Sequence, residues 1–185
     1  MSKRSTLAPH IRRERFVFEY RIMPAVCYLA VVALTCVSCR VDVPLPMTND
    51  LVMSNPMAER QLIAGLWKIE IGQWRWAKKR FAVVLRPPDG VDRYGGVLRL
   101  QLFIPDGQIQ KLGPMTLTAE IGDRSLGSQT FTSGGSFSYT QTFPPMSFKD
   151  QLVPVVFAFD KVLAPWQTDG RELSAVISEV SLDRR

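Results

Sequence analysis

The sequence predicts an all-β domain, an antiparallel β-sandwich, behind an N-terminal hydrophobic helix. From Gly65 onward, seven or eight short apolar or alternating segments follow one another. Turns that contain glycine or proline separate them at intervals of about 10–15 residues. The segments show no amphipathic period of helical length. Roughly 120 residues can bury a sandwich core without disulfides.

The chain begins with a basic segment, residues 1–21, and a hydrophobic run, residues 22–39, that contains no charged side chain. A run of this length after basic residues is typical of a transmembrane helix or of an export signal. The basic side of such a segment stays in the cytoplasm. The membrane is therefore a predicted partner, and we expect the body of the protein in the periplasm or at the cell surface.

The end of the hydrophobic run, "CVSC", resembles the lipobox of bacterial lipoproteins, in which a small residue precedes a cysteine that becomes lipidated. Ser38 before Cys39 fits this pattern, whereas Cys36 stands where leucine is usual. Three outcomes remain open from these residues: lipidation at Cys39, an uncleaved anchor, and cleavage of an ordinary signal peptide.

The remaining chain divides into a tether and a domain. Residues 40–62 contain several prolines and no sustained period, which predicts a tether with a short helical turn before Gly65. Residues 63–185 are predicted to form the β-sandwich. Its strands are expected at 67–71, 74–86, 95–105, 115–122, just after the turn at 122–127, 134–143, 152–160 and 172–182. The segment 152–160 is apolar on both faces, which predicts a strand buried between layers.

The distribution of charge argues against nucleic acid as a partner. The net charge is +6, but residues 1–40 hold seven basic and two acidic residues, so +5 of it lies in the N-terminal segment. The body is close to neutral. Binding to phosphates needs a concentrated basic surface, which the body lacks.

Catalysis by the common nucleophiles and metals is also excluded from the body. The single histidine, His10, and the three cysteines, Cys27, Cys36 and Cys39, all precede it. We therefore predict a protein that is not an enzyme and has neither metal nor cofactor. The minor alternative is an envelope glycosidase or esterase. Its carboxylates would come from a set that the sequence alone does not bring together: Glu70, Glu120, Asp160, Asp169 and Glu172.

Several short motifs follow one another in the body. They are Gly65, Trp67 and Glu70; Trp74, Arg75 and Trp76; Pro105; Gly122 and Asp123; and Asp169, Arg171 and Leu173. In this order, over about 65–182, they resemble a module of bacterial surface-polysaccharide proteins. The resemblance implies a jelly-roll-like sandwich, found alone or after glycosyltransferase domains. This chain departs from the pattern with Ser174 in place of glycine and "GD" in place of "NG".

Candidate binding residues are the aromatic and cationic side chains of these motifs, since flat rings stack on sugars and cations donate to hydroxyls. They are Trp67, Trp74, Arg75, Trp76 and Trp166. In a strand, Trp74 and Trp76 share one face and Arg75 lies on the other. We expect the two tryptophans in the core or at a sheet edge, because a bulky apolar layer must be filled. Trp166, in a loop, is the better candidate for an exposed ring.

Structural ion pairs are the alternative role for the charged residues among these motifs. Arg75 is expected to pair with Glu70, Asp169 or Glu172, and Arg171 belongs to the same predicted set. The leading hypothesis is a non-catalytic, membrane-tethered β-sandwich outside the cytoplasm that binds carbohydrate or a component of surface-polysaccharide assembly. The alternative is a protein-interaction or scaffold subunit of an envelope complex.

Overall fold

A computed structural model describes residues 46–148 and 150–185; the basic segment, the hydrophobic run and Cys39 lie outside these residues. In the described part, no helix combines the length and hydrophobicity needed to cross a bilayer. The strands found there are β1 Asp50–Val52, β2 Leu62–Glu70, β3 Trp74–Leu85, β4 Gly96–Ile104, β5 Met115–Ile121, β6 Arg124–Phe131, β7 Gly135–Phe143, β8 Val153–Phe159 and β9 Val176–Arg184. Short α-helices span Val91–Tyr94 and Asp106–Leu112, and 3₁₀ helices span Pro56–Gln61 and Pro165–Gln167.

The strands pair in the order β6-β5-β8-β3-β9-β4-β7, with β1 beside β9 and β2 beside β3. All of these pairings are antiparallel. The long strand β3 joins two groups of strands, because its start pairs with β9 through Arg75 and Trp76 and its second half, Arg80 to Leu85, pairs with β8. The prediction of an antiparallel, mostly β domain is confirmed.

The two ends of the strand order, β6 and β7, approach each other and make the domain nearly barrel-like. The hydroxyl of Tyr139 on β7 donates a hydrogen bond to the carbonyl of Gly127 on β6. Burial raises the pKa of Tyr139 to about 12. The rings of Phe131 and Phe137 add an apolar contact, with centroids 4.8 Å apart.

The core follows the period-2 alternation of the strands. Alternate residues of β3, β4, β5 and β8 are buried, among them Phe81, Val83, Leu85, Leu98, Leu100, Leu102, Ile104, Leu117, Ala119, Ile121, Val155 and Phe157. Phe81 and Phe157 stack with ring centroids 4.9 Å apart. Burial of this much apolar surface is the main term that stabilises such a domain.

The strand β8 is buried on one face only, so the prediction of burial on both faces is wrong. Val153, Val155, Phe157 and Phe159 form its buried face. On its outer face, Pro154 is exposed and Val156 and Ala158 are half-buried. These outer side chains are apolar but small, which is why the sequence reads as a strand enclosed on both sides.

Residues 46–62 belong to the β domain, and the expected tether does not extend over them. β1 pairs with β9, and Met53 is fully buried. The buried side chain of Gln61 accepts a hydrogen bond from the amide of Thr48 and donates one to the carbonyl of Val84, at 2.9 and 2.7 Å. The expected helical turn is the 3₁₀ helix Pro56–Gln61.

Strand β2 starts earlier than predicted and contains Gly65 at an irregularity of its pairing with β3. The φ of Gly65 is +79°, and a Cβ there would lie 2.0 Å from the carbonyl oxygen of Arg80. Only glycine allows the two backbones to approach this closely.

Candidate functional site

A groove with a volume of about 800 Å³ crosses the outer face of β3, β9, β4 and β7. It reaches from the turn between β2 and β3 to the end of β4. Aromatic, amide and hydroxyl side chains dominate its lining, which consists of Glu70, Gln73, Trp74, Trp76, Gln101, Leu102, Phe103, Pro105, Ser136, Phe137, Ser138, Val176 and Ser178.

Trp74 and Trp76 are half-buried and line this groove on an interior strand, so the expectation that they pack in the core or at a sheet edge is wrong. The inner positions at this end of β3 are taken by Arg75 and Ala77 instead, which are 3% and 0% exposed. The guanidinium of Arg75 binds the carboxylate of Glu59 at 2.6 Å and the carbonyl of Trp67 at 3.2 Å. A local charge partner therefore lets an arginine occupy the inner face.

Strand register places four groove residues in one line across the sheet. Trp76 and Phe103 both pair with Val176, from opposite sides of β9, and Phe103 also pairs with Ser136. We call Trp76, Val176, Phe103 and Ser136 the groove row. Because neighbouring strands lie about 4.8 Å apart, the two aromatic residues of the row are separated by about 10 Å of backbone.

Polar side chains lie beside the groove row on the same face. The amide of Gln101 donates to the hydroxyl of Ser138 at 3.3 Å, and the hydroxyl of Ser178 donates to the carbonyl of Gln101 at 3.3 Å. Both bonds are long and exposed. These groups can therefore turn toward a bound molecule at small cost, and each of them both donates and accepts.

One carboxylate, Glu70, lines the end of the groove at the β2–β3 turn, and Arg171 holds it at 2.5 Å. The same guanidinium binds Asp169 at 2.8 Å. Hydrogen bonding to Arg171 lowers the pKa of Asp169, and both carboxylates raise the pKa of Arg171. Glu70, Asp169 and Arg171 thus form one ion-pair network. Arg75 lies outside it and pairs with Glu59, not with Glu70, Asp169 or Glu172 as predicted.

The other predicted binding residues lie away from the groove lining. The indole N–H of Trp67 donates to the carbonyl of Glu172 at 2.9 Å, and the ammonium of Lys78 sits 4.5 Å from its ring centroid. Trp166 is 83% exposed on the 3₁₀ helix Pro165–Gln167, consistent with its predicted loop position. Of the five candidates, only Trp74 and Trp76 line the groove.

Sequence reasoning missed Gln101, Phe103, Ser138 and Ser178 as groove residues. One signal was present: β4 alternates leucines with Arg99 and Gln101, so Phe103 is a bulky apolar residue on the face that carries these two polar side chains. Phe103 is 44% exposed in the structure. The side of β9 on which Ser178 lies could not be read from its sequence.

Three carboxylates, Asp50, Glu179 and Asp183, continue the outer face beyond the groove. Glu179 pairs in register with Gln101, and Asp50 with Ser181 of the same strand. Burial and the negative charge of Asp183 raise the pKa values of both Asp50 and Glu179. Arg99 binds Asp183. In the described residues, no group of three or more His, Cys, Asp or Glu side chains could hold a metal ion.

No family model matches the sequence, and no curated protein is significantly similar to it. Among the solved structures that resemble the fold are the following two. A carbohydrate-binding module studied for specific mannan recognition is 12% identical, with a TM-score of 0.46 over 76% of this chain and 98% of that one. A structure of CBM4 is 12% identical, with a TM-score of 0.33 over 63% of this chain and 74% of that one. At this level the likeness is a matter of strand arrangement and gives no ligand for this chain.

Proposed function

We propose that this protein is a non-catalytic carbohydrate-binding domain whose groove takes a glycan chain. The observation that carries the proposal is the groove row, in which Trp76 and Phe103 face outward on a sheet whose core is already filled. Phe103 is 44% exposed and Trp76 is half-buried, so neither ring is enclosed in the core. Aromatic rings that line a concave surface are typical of a site that binds a ligand.

The chemistry of the lining suits sugar rings. A pyranose offers a face of C–H groups and a rim of hydroxyls, so it needs flat apolar contacts beside groups that both donate and accept hydrogen bonds. Trp74, Trp76 and Phe103 supply the first kind of contact. Gln73, Gln101 and the lining serines supply the second.

The carboxylates support binding without hydrolysis. Hydrolysis by two carboxylates needs a pair on either side of the scissile bond, about 5–10 Å apart. Among the described residues that line the groove, Glu70 is the only carboxylate, and Arg171 occupies it. A glycan in this groove therefore meets aromatic rings, amides and hydroxyls rather than an acid and a base.

We also propose that the hydrophobic run 22–39 holds the domain at a membrane, outside the cytoplasm, as part of surface-polysaccharide assembly. Its length and the basic residues before it support this placement. The jelly-roll-like topology belongs to the same proposal and is supported by the way β3 joins two groups of antiparallel strands. Mass spectrometry of the mature N-terminus from membranes distinguishes a lipid on Cys39 from an intact span and from cleavage.

Binding is tested by affinity electrophoresis of the full chain through gels that contain soluble glucan, mannan or galactan. We expect retardation by at least one polymer. Trp76→Ala should weaken it at least tenfold, because a central aromatic contact is lost. Trp166→Ala is the matched control, since Trp166 is more exposed but lies outside the groove lining.

Two results would contradict the proposal: no retardation by any of the three polymers, or an equal loss in Trp166→Ala and Trp76→Ala. If no glycan binds and cross-linking in native membranes instead recovers one defined protein, the domain is a scaffold subunit, which is the alternative function.

A further inference from the structure

We infer that the groove selects uncharged glycans and rejects chains that carry carboxylates. The inference rests on the proposed function and adds the chemical class of the ligand. It follows from three observations: the charge of the lining, the positions of the neighbouring cations, and the carboxylates beyond the groove.

The lining offers no cation to an anionic sugar. Of its thirteen residues, Glu70 alone is charged, and the others are aromatic, aliphatic, amide or hydroxyl side chains. A uronic acid placed here would lose water from its carboxylate and gain at best neutral hydrogen bonds. Transfer of a charge without an opposite partner is unfavourable.

Four cations that lie near groove residues in sequence are engaged elsewhere, whereas Lys68 and Lys79 are exposed and lie outside the lining. Arg75 lies on the inner face of β3 with Glu59, and Arg171 bridges Glu70 and Asp169. Lys78 lies over the ring of Trp67, and Arg99 binds Asp183. Each of these side chains would have to give up a partner in order to reach a ligand carboxylate.

The carboxylates Asp50, Glu179 and Asp183 add repulsion at one end of the groove. Glu179 follows the lining residue Ser178 directly and pairs in register with Gln101. Arg99 compensates only one of the three negative charges. Glu179 is half-buried, so salt screens its field less than it screens that of a fully exposed charge.

A matched set of polymers tests this. Soluble glucan, mannan and galactan are each used unmodified and after oxidation of C6 hydroxymethyl groups to carboxylates, which leaves the backbone linkages unchanged. Calorimetry with the full chain should show at least tenfold weaker binding of the oxidised form of any polymer that binds. In Glu179→Gln, the oxidised form should regain several-fold in affinity, whereas the unmodified form should bind as before.

The outcomes separate the two claims. If an oxidised polymer binds as tightly as its parent or more tightly, the inference is wrong and the glycan-binding function stands. If Glu179→Gln changes the affinity for both forms equally, the carboxylates beyond the groove do not select by charge. If none of the six polymers binds, the proposed function fails, and the inference fails with it.

Discussion

The two outer faces of the β domain differ, although both belong to strands whose alternate residues are buried in the core. On one face the groove row, Trp76 to Ser136, crosses β3, β9, β4 and β7. On the other, Arg80, Ala158, Thr118 and Ser128 are paired in register across β3, β8, β5 and β6 and form what we call the polar row. Each row has four residues on four adjacent strands. One carries two large aromatic rings and the other carries none.

This comparison separates what the fold needs from what it tolerates. The polar row shows that the outer positions of these strands can be filled with small and polar residues while the core remains closed beneath them. An exposed antiparallel face is normally of this kind. The aromatic residues of the groove row are therefore in excess of the needs of packing, and this excess is the argument for a ligand.

Replacing the aromatic residues of the groove with threonine, a residue of the polar row, should have the largest effect on glycan affinity. We expect the triple variant Trp74→Thr, Trp76→Thr and Phe103→Thr to lose about 100-fold or more in glycan affinity, since several central contacts disappear together. Stability should fall by about 2–4 kcal/mol, because Trp74 and Trp76 are half-buried and Phe103 is 44% exposed. Calorimetric binding and urea unfolding measure the two effects. A triple variant that fails to fold would show that the aromatic residues belong to the core.

Substitution of Arg75 tests whether the inner face of β3 affects stability without affecting the binding of glycan at the outer face. Arg75→Ala should destabilise the domain by about 2 kcal/mol, because it removes buried packing and leaves the carbonyl of Trp67 without its donor. Urea unfolding measures this loss. Glu59→Gln should cost less, since the Glu59 side chain is 66% exposed. A change of more than about twofold in glycan affinity for folded Arg75→Ala would contradict the assignment of Arg75 to the inner face alone.

A substitution in the turn at the end of the groove should raise the stability of the domain, by less than the substitution of Arg75 lowers it. Ile71 has a φ of +50° and Gly72 a φ of +66°, positive values like those at the two central residues of a type I′ turn, which favours Asn-Gly. A β-branched side chain is strained in this region. Ile71→Asn should therefore stabilise the domain by about 1 kcal/mol in thermal unfolding. Gly72→Ala is the control and should destabilise it. A loss of glycan affinity in Ile71→Asn would instead make the exposed Ile71 side chain a ligand contact.

A substitution in the polar row should have the smallest effect on stability. Arg80 and Glu120 form an ion pair at 3.5 Å with both side chains at least half exposed. We expect Arg80→Ala to change stability by about 0.5 kcal/mol or less, and less still in high salt. Glycan affinity should not change. A clear loss of binding would place part of the ligand on this face and remove the contrast between the two rows.

The strands were predictable where a short segment contains its own signal. The leucines of β4 and the alternation of β5 identify their inner faces directly, because the pleat has a period of two. The groove was not predictable in the same way. In Trp74-Arg75-Trp76 hydropathy favours the tryptophans as inner residues, and the partner that reverses this, Glu59, lies 16 residues upstream.

The groove row was even less predictable from the sequence. It depends on the register of β3 and β4 against β9, strands that are separated by as many as 100 residues of chain. The pairing is fixed by the whole set of buried side chains, and no short pattern encodes it. The tether was misplaced for a similar reason, since the proline-containing residues 46–62 are ordered by contacts with β3 and β9.

The positions of the four tryptophans have an optical consequence. Trp166 is in water, Trp67 lies beneath an ammonium group with its indole N–H bonded, and Trp74 and Trp76 share the groove. Replacing Trp67 and Trp166 with phenylalanine would leave an emission spectrum that comes from the groove alone. The domain would then report the displacement of water by a ligand through its own fluorescence, without an attached dye.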